Sequence, residues 1–236
     1  MSDTLDGLLV VLIYGFLQGA ELLRHLFEEH LVLAKRGARI TGSDISRNFI
    51  RYAREAEEKQ PLGIRYEIAS AVDLPFDEAS FDFTVAFMSL LDISETERVL
   101  AEVLRVLRPG GFFQFSISHP CFDKPHCKTL YDETRRVYAI EVGDYFRGRE
   151  GEVKEWPFSA APPEVREGLS PFRVPVFMRT LSSWLNSLVE AGFVLERFGE
   201  PYPTEEAVRE RPRLQSAQAV ALFLHVQARK PAGKTS

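Results

Sequence analysis

Leu8–Tyr14 reads Leu-Leu-Val-Val-Leu-Ile-Tyr without a polar interruption. A strand that shows no apolar–polar alternation must be covered on both faces, which is the situation of a strand inside a parallel sheet flanked by helices. At about ten residues, the wider apolar stretch Leu8–Leu17 is too short to span a bilayer. It also lacks the basic start and small-residue cleavage site of a secretory leader. A core strand is therefore expected.

The segments that follow repeat the strand–helix alternation such a sheet requires. Ala20–Arg36 places Leu22, Leu23, Leu26, Phe27, Leu31 and Ala34 near helical spacing, and Gly37 sits where a C-cap glycine belongs. Ala38–Gly42 is a second strand, ending on Asp44. Ser46 is expected to cap a helix over Arg47–Lys59 with Phe49, Ile50 and Ala53 facing the core, and Ile64–Ala69 is a third strand. A loop holding Asp73-Leu74-Pro75 leads to a fourth strand, Phe81–Phe87. Ser94-Glu95-Thr96-Glu97 has the form of a capping box opening a helix with Val99, Leu100, Val103, Leu104 and Leu107 on one face. Arg108-Pro109-Gly110-Gly111 breaks that helix and turns into a fifth strand, Phe112–Ser118. The turn has a structural role and no chemistry.

From His119 to Arg179 the periodicity dissolves into a stretch rich in Pro, Tyr and Phe. Sixty structureless residues are unusual inside a compact domain, so 119–179 is expected to be an insertion covering a site. Thr180 caps a helix through Ala191. Phe193–Phe198 and Ala219–Ala228 are two last strands; the second has long alternation and no helix before it, and is expected to run antiparallel. The 236 residues suit a single α/β domain over 1–236, with 45% hydrophobic residues to fill its core. The expected fold is a doubly wound, mostly parallel sheet of about seven strands with an antiparallel last strand.

The formal net charge of -5 argues against a nucleic-acid binder that works by phosphate neutralisation. Nothing in the chain calls for a membrane, and a cytoplasmic location is expected. The two cysteines, Cys121 and Cys127, read as free thiols. With His119 and His126 they match no common zinc spacing, so no metal is expected. The oligomeric state is not readable.

An acid at the tip of the second strand of a nucleotide-binding sheet is well placed to accept the hydroxyls of a ribose. Asp44 is the first candidate for such a site. A nicotinamide-dependent oxidoreductase would also want it. Against that reading stand the Asp73 loop, the Pro-Gly-Gly turn and the missing Gly-x-Gly-x-x-Gly.

Four segments in order carry a resemblance: Asp44, Ser70–Phe76, Ser80-Phe81-Asp82-Phe83 and Leu107–Gly111. Together they resemble the class I S-adenosylmethionine-dependent methyltransferases of the small-molecule, type 11-like kind. His119-Pro120, the aromatic insertion, Arg179-Thr180-Leu181 and Glu200-Pro201 fit one subgroup. The resemblance implies a Rossmann-like methyltransferase fold, S-adenosyl-L-methionine as cofactor and a small-molecule acceptor as partner. It implies that Asp44 binds the ribose diol, with Ile45 packing on the adenine. Asp73 would accept from the adenine amino group beside Ala71 and Val72. Phe87, Met88 and Ser89 would line the methionine moiety.

His119 follows the fifth strand at the sheet's carboxyl edge and is the candidate general base. Tyr145 and Trp156 are the candidates for acceptor contact. The first motif departs from the family pattern. Tyr14-Gly15-Phe16-Leu17-Gln18-Gly19 keeps two glycines, Gly15 and Gly19, without the middle glycine or the preceding acid. Phe16 and Leu17 would crowd a backbone that has to approach a cofactor. The departure leaves two alternatives to an active enzyme, a paralogue impaired in cofactor binding and a truncated or frame-shifted reading of the first 36 residues.

Overall fold

The computed structural model describes residues 9–13, 33–156 and 172–233. Gly15, Gly19 and most of the expected Ala20–Arg36 helix lie outside them. The continuous apolar run becomes β1 (Leu9–Ile13), which is central: it pairs in parallel with β2 (Arg39–Asp44) on one side and β4 (Phe81–Phe87) on the other. β3 (Arg65–Ile68) extends the sheet beyond β2, and β5 (Leu107–Ser118) extends it beyond β4. Beyond β5 come β11 (Phe223–Arg229), antiparallel, and β10 (Val194–Gly199), antiparallel to β11 and so aligned with the others. The order is β10-β11-β5-β4-β1-β2-β3.

Helices cover both faces, and local sequence decides where each begins. Gly37, at φ 88, closes the helical turn ending at Lys35, and its N–H donates to Ala34 O at 2.9 Å. This satisfies a carbonyl that the helix end would otherwise leave open. Ser46 Oγ accepts from Phe49 N at 3.2 Å and starts α1 (Arg47–Lys59), whose Phe49, Ile50 and Ala53 pack on Ile40, Tyr66 and Phe83. On the other face α2 (Thr96–Val106) and α3 (Leu181–Glu190) bury Val99, Leu100, Val103, Trp184 and Leu188 against Phe113, Phe115 and Ile117. Thr180 Oγ1 caps α3 by accepting from Ser183 N at 3.1 Å.

Arg108-Pro109-Gly110-Gly111 makes the expected turn. Gly110 has φ 81, and a Cβ on Gly111 would lie 2.9 Å from the carbonyls of Arg108 and Asp82. Arg108 grips both carboxylate oxygens of Asp82, at 2.7 and 2.8 Å.

Three expectations need correction. The capping box at Ser94 does not form: the residue before α2 is Glu95, without a side-chain cap, and Thr96 Oγ1 donates instead to Ile93 O at 3.2 Å. A short turn of helix, Leu90–Asp92, occupies the chain just before and shifts the start by one residue. The insertion is not structureless. It forms two small antiparallel sheets, β6 (His126–Tyr131) with β7 (Val137–Gly143) and β8 (Arg149–Trp156) with β9 (Phe172–Met178), so the strand content is mixed and not confined to the central sheet. The stretch before β11 contains α4 (Glu205–Glu210) and α5 (Ser216–Ala219). At six and four residues these are too short for a parallel crossover.

Candidate functional site

The carboxyl ends of β2, β4, β5 and β10 share one edge of the sheet, where ligands bind in open α/β folds. Asp44 ends β2 and is 1% exposed. Its Oδ1 accepts from Ser46 N at 2.6 Å, while Oδ2 is buried without a hydrogen-bond partner among the described residues. Burial pushes its carboxyl up to about 7, and the Ser46 N–H opposes that only in part. An ionised carboxylate with one oxygen unpaired in the interior is costly. It is the group that a pair of hydroxyl donors would satisfy. Ile45, next along, is 58% exposed and stands open at the same corner.

The 70–76 loop forms a tight turn in which Asp73 N donates to Ser70 O at 3.0 Å. Ala71 and Leu74 are buried, Val72 is half-buried, and the Asp73 side chain is exposed. The loop is held from α2. Glu102 Oε2 accepts from Leu74 N at 2.8 Å, and Arg105 donates to Leu74 O at 2.8 Å and Phe76 O at 2.7 Å. Sequence reasoning gave these two residues no part in the site.

At the end of β4, Phe87 is half-buried, Ser89 is fully buried and Met88 has φ 52. A non-glycine residue in the left-handed region at a strand end is uncommon. Met88 N reaches across to Ser116 O at 3.0 Å, which holds the bend. Four residues on, Asp92 is half-buried, and burial pushes its carboxyl up to about 7. Nothing in the sequence singled it out.

His119, 4% exposed, lies at the end of β5. Its Nδ1 accepts from Cys121 N at 3.2 Å. That places the ring proton on Nε2, which lies 3.0 Å from Glu200 Oε1 at the end of β10. His119-Pro120 and Glu200-Pro201, separated by eighty residues, are thus one contact. Nearby, the ammonium of buried Lys124 donates to Arg179 O at 3.2 Å and sits 4.5 Å from the Tyr145 ring centroid. Burial holds the Lys124 amine below its ordinary range. Tyr145 OH accepts from Leu181 N, the first amide of α3, at 3.0 Å. The Arg179 guanidinium pairs with Glu97 at the start of α2. Leu91, Ser118, Pro120, Asp123, Met178 and Trp184 line a shallow pocket beside these groups. Trp156 ends β8.

His126 turns away from this cluster to Glu141 on β7, at 2.8 Å. Among the described residues no group of three or more His, Cys, Asp or Glu could hold a metal ion. Among them, too, no helix is long and apolar enough to cross a membrane.

A Rossmann-like α/β sheet with a buried, half-satisfied acid at its second strand defines a class of nucleotide-type ligand sites. Residues 28–115 match the family model described as a methyltransferase domain. A structure described as an S-adenosylmethionine-dependent methyltransferase from Mesorhizobium loti superposes with a TM-score of 0.68 at 28% identity, covering 95% of this chain and 91% of that one. An O-methyltransferase of Penicillium expansum is 38% identical over 93 residues, 37% of this chain and 34% of that protein. A ubiquinone/menaquinone biosynthesis C-methyltransferase of Brucella anthropi is 34% identical over 116 residues, 46% of this chain and 44% of that protein. The chain spans less than half the length of the curated relatives it matches. Residues 28–115 thus resemble a methyltransferase domain, and the chain as a whole shares the fold of an S-adenosylmethionine-dependent methyltransferase.

Proposed function

We propose that this chain binds S-adenosylmethionine along the carboxyl edge of its sheet and directs its methyl group to a small-molecule acceptor. The observation that carries this reading is the buried, unpartnered Oδ2 of Asp44. A ribose diol supplies the donors that this carboxylate lacks. Ile45 offers an exposed apolar face for the adenine, and exposed Asp73, beside Ala71 and Val72, an acceptor for its amino group. Phe87, Met88 and Ser89 form the strained corner against which the methionine portion rests. Gly15 and Gly19, which follow β1 in the sequence and lie outside the described residues, are assigned to the cofactor with them.

When bound, S-adenosylmethionine supplies a methyl group on a sulfonium, open to direct in-line displacement. The protein's task is then to hold the acceptor in line and keep water out, since positioning alone is worth effective molarities of about 10⁵–10⁸ M. The 119–179 insertion covers the acceptor, with Tyr145 and Trp156 as its aromatic contacts. His119 takes a proton from the acceptor only at Nδ1, once Nδ1 gives up the Cys121 amide, since Nε2 already carries the ring proton.

A second reading is favoured by the sequence Tyr14–Gly19, which lacks the middle glycine and the acid before it. In it the chain is a cofactor-impaired, non-catalytic relative. Calorimetric titration with S-adenosylhomocysteine separates the two. Saturable binding supports the first reading. A folded protein that shows no heat at millimolar ligand sinks it and leaves the second.

A further inference from the structure

We infer that Glu102 and Arg105 are positioning residues for the nucleobase end of the site, acting through the 70–76 loop. This rests on the reading above that Asp73 faces an adenine. The two residues are three apart on α2 and so share one face of the helix. Arg105 Nε and Nη2 donate to the Glu102 carboxylate at 2.9 and 2.8 Å, so the pair is rigid before it meets the loop. The paired groups then take both main-chain polar groups of Leu74. Glu102 Oε2 accepts its N–H, and Arg105 Nη2 donates to its carbonyl. Arg105 Nη1 takes the carbonyl of Phe76 as well.

A loop that only needed tying down would be served by one such bond. Here three backbone groups within three residues are fixed, the Leu74 N–H by the carboxylate and the Leu74 and Phe76 carbonyls by a planar fork, and a fork fixes orientation as well as distance. The Leu74 side chain is 3% exposed, and Phe76 packs edge-on against Phe81 with ring centroids 5.1 Å apart. On the other side Asp73 N is tied to Ser70 O. Everything around Asp73 is therefore held. Its own carboxylate is left exposed and points to no hydrogen-bond partner among the described residues. Such an arrangement presents an acceptor at a set place, and what it can select is a donor at the edge of the base. The chemistry it distinguishes is a 6-amino purine from a 6-oxo purine.

The test compares S-adenosylhomocysteine with S-inosylhomocysteine, which carries an oxygen where adenine carries its amino group. The wild-type chain is expected to prefer the adenosyl compound by at least about tenfold, since replacing a donor by an acceptor sets two acceptors against each other. Arg105→Lys keeps the charge and loses the fork. It is expected to reduce that preference to under about threefold while leaving inosyl affinity unchanged, and to speed amide exchange at Leu74 in the ligand-free protein. Should Arg105→Lys fail to fold, Glu102→Gln is read by the same ratio. A variant that keeps the wild-type preference overturns the inference even if it melts earlier, because a purely structural clamp would do that. A folded wild-type chain that binds neither compound overturns the proposed function itself. That result is distinct from one in which both bind without preference, which overturns only the role given to Asp73 and its clamp.

Discussion

The two ends of the ligand-binding edge are built on opposite principles. At the β2 end a buried carboxylate is left half-paired, and an exposed isoleucine stands beside it. At the β5–β10 end nearly every polar group is spoken for. His119 has partners on both nitrogens, Lys124 and Tyr145 share one packing unit, Tyr145 OH holds an α3 amide, and Arg179 ties α3 to α2 through Glu97. An unsatisfied buried acid is a cost to folding that calls for a functional reason, and a bound ligand is one that supplies the missing donors. In the proposed function the first end is the one that recognises the donor. The contrast makes the second a latch that closes the insertion onto the sheet.

That contrast can be broken in several places. The largest effect belongs to the latched end. Trp184 is 1% exposed between β5 and α3, and Trp184→Ala should cost about 3–5 kcal/mol in denaturant unfolding. A cost under about 1 kcal/mol would mean that α3 is not part of the core. Next comes Asp44→Ala, expected to weaken S-adenosylhomocysteine binding by about 1.5–3 kcal/mol, as for loss of hydrogen bonds to a charged group. Its melting temperature should not fall. If Asp44 were only a helix-flanking acid, affinity would stay as it was.

Tyr145→Phe removes the acceptor from Leu181 N but keeps the ring over Lys124. It should cost about 0.5–1.5 kcal/mol of stability. A larger loss of methyl transfer than of stability would give the hydroxyl a direct part in acceptor binding. The smallest effect is expected for Glu200→Gln. Glu200 is exposed, and its amide oxygen would still accept from His119 Nε2, so stability should move by no more than about 0.5 kcal/mol.

The same contrast separates what could be read from the chain from what could not. Asp44, the Ser46 cap and the Thr180 cap were legible because each is a local signal: a carboxylate at a strand end, or a hydroxyl three residues before the amide it accepts from. The Pro-Gly-Gly turn was legible for the same reason. The latch was not. Lys124 meets Arg179 across 55 residues and His119 meets Glu200 across 81, and no periodicity encodes a contact between loops. His-Pro and Glu-Pro were visible as separate motifs, but not as one pair. Of the insertion's strands, β6 was missed because it is largely exposed and polar, whereas β9 buries Val174, Val176 and Met178 on one face and carried an alternation that was overlooked beside Pro175. Ser94 misled because the Leu90–Asp92 turn consumed the chain that would have let its hydroxyl reach the helix.

The central claim is that the unpartnered acid of Asp44 is kept for a ligand. Its carboxyl is raised by burial from 3.8 to about 7. A raised carboxyl contributes stability that is fully present below the unfolded value and is lost as pH rises through about 7. The ligand-free fold should therefore gain from Asp44→Asn at pH 8 and gain little or nothing at pH 4. Hydroxyl donors favour the charged form, so binding should release a proton near neutrality and tighten as pH rises from 6 to 8. The most direct measurement is S-adenosylhomocysteine affinity across that range, by calorimetry in two buffers of different ionisation heat, for the wild-type chain and Asp44→Asn. The expected result is affinity that rises with pH and a released proton in the wild type, with neither in the variant. Equal affinities and a flat pH dependence in both would contradict it.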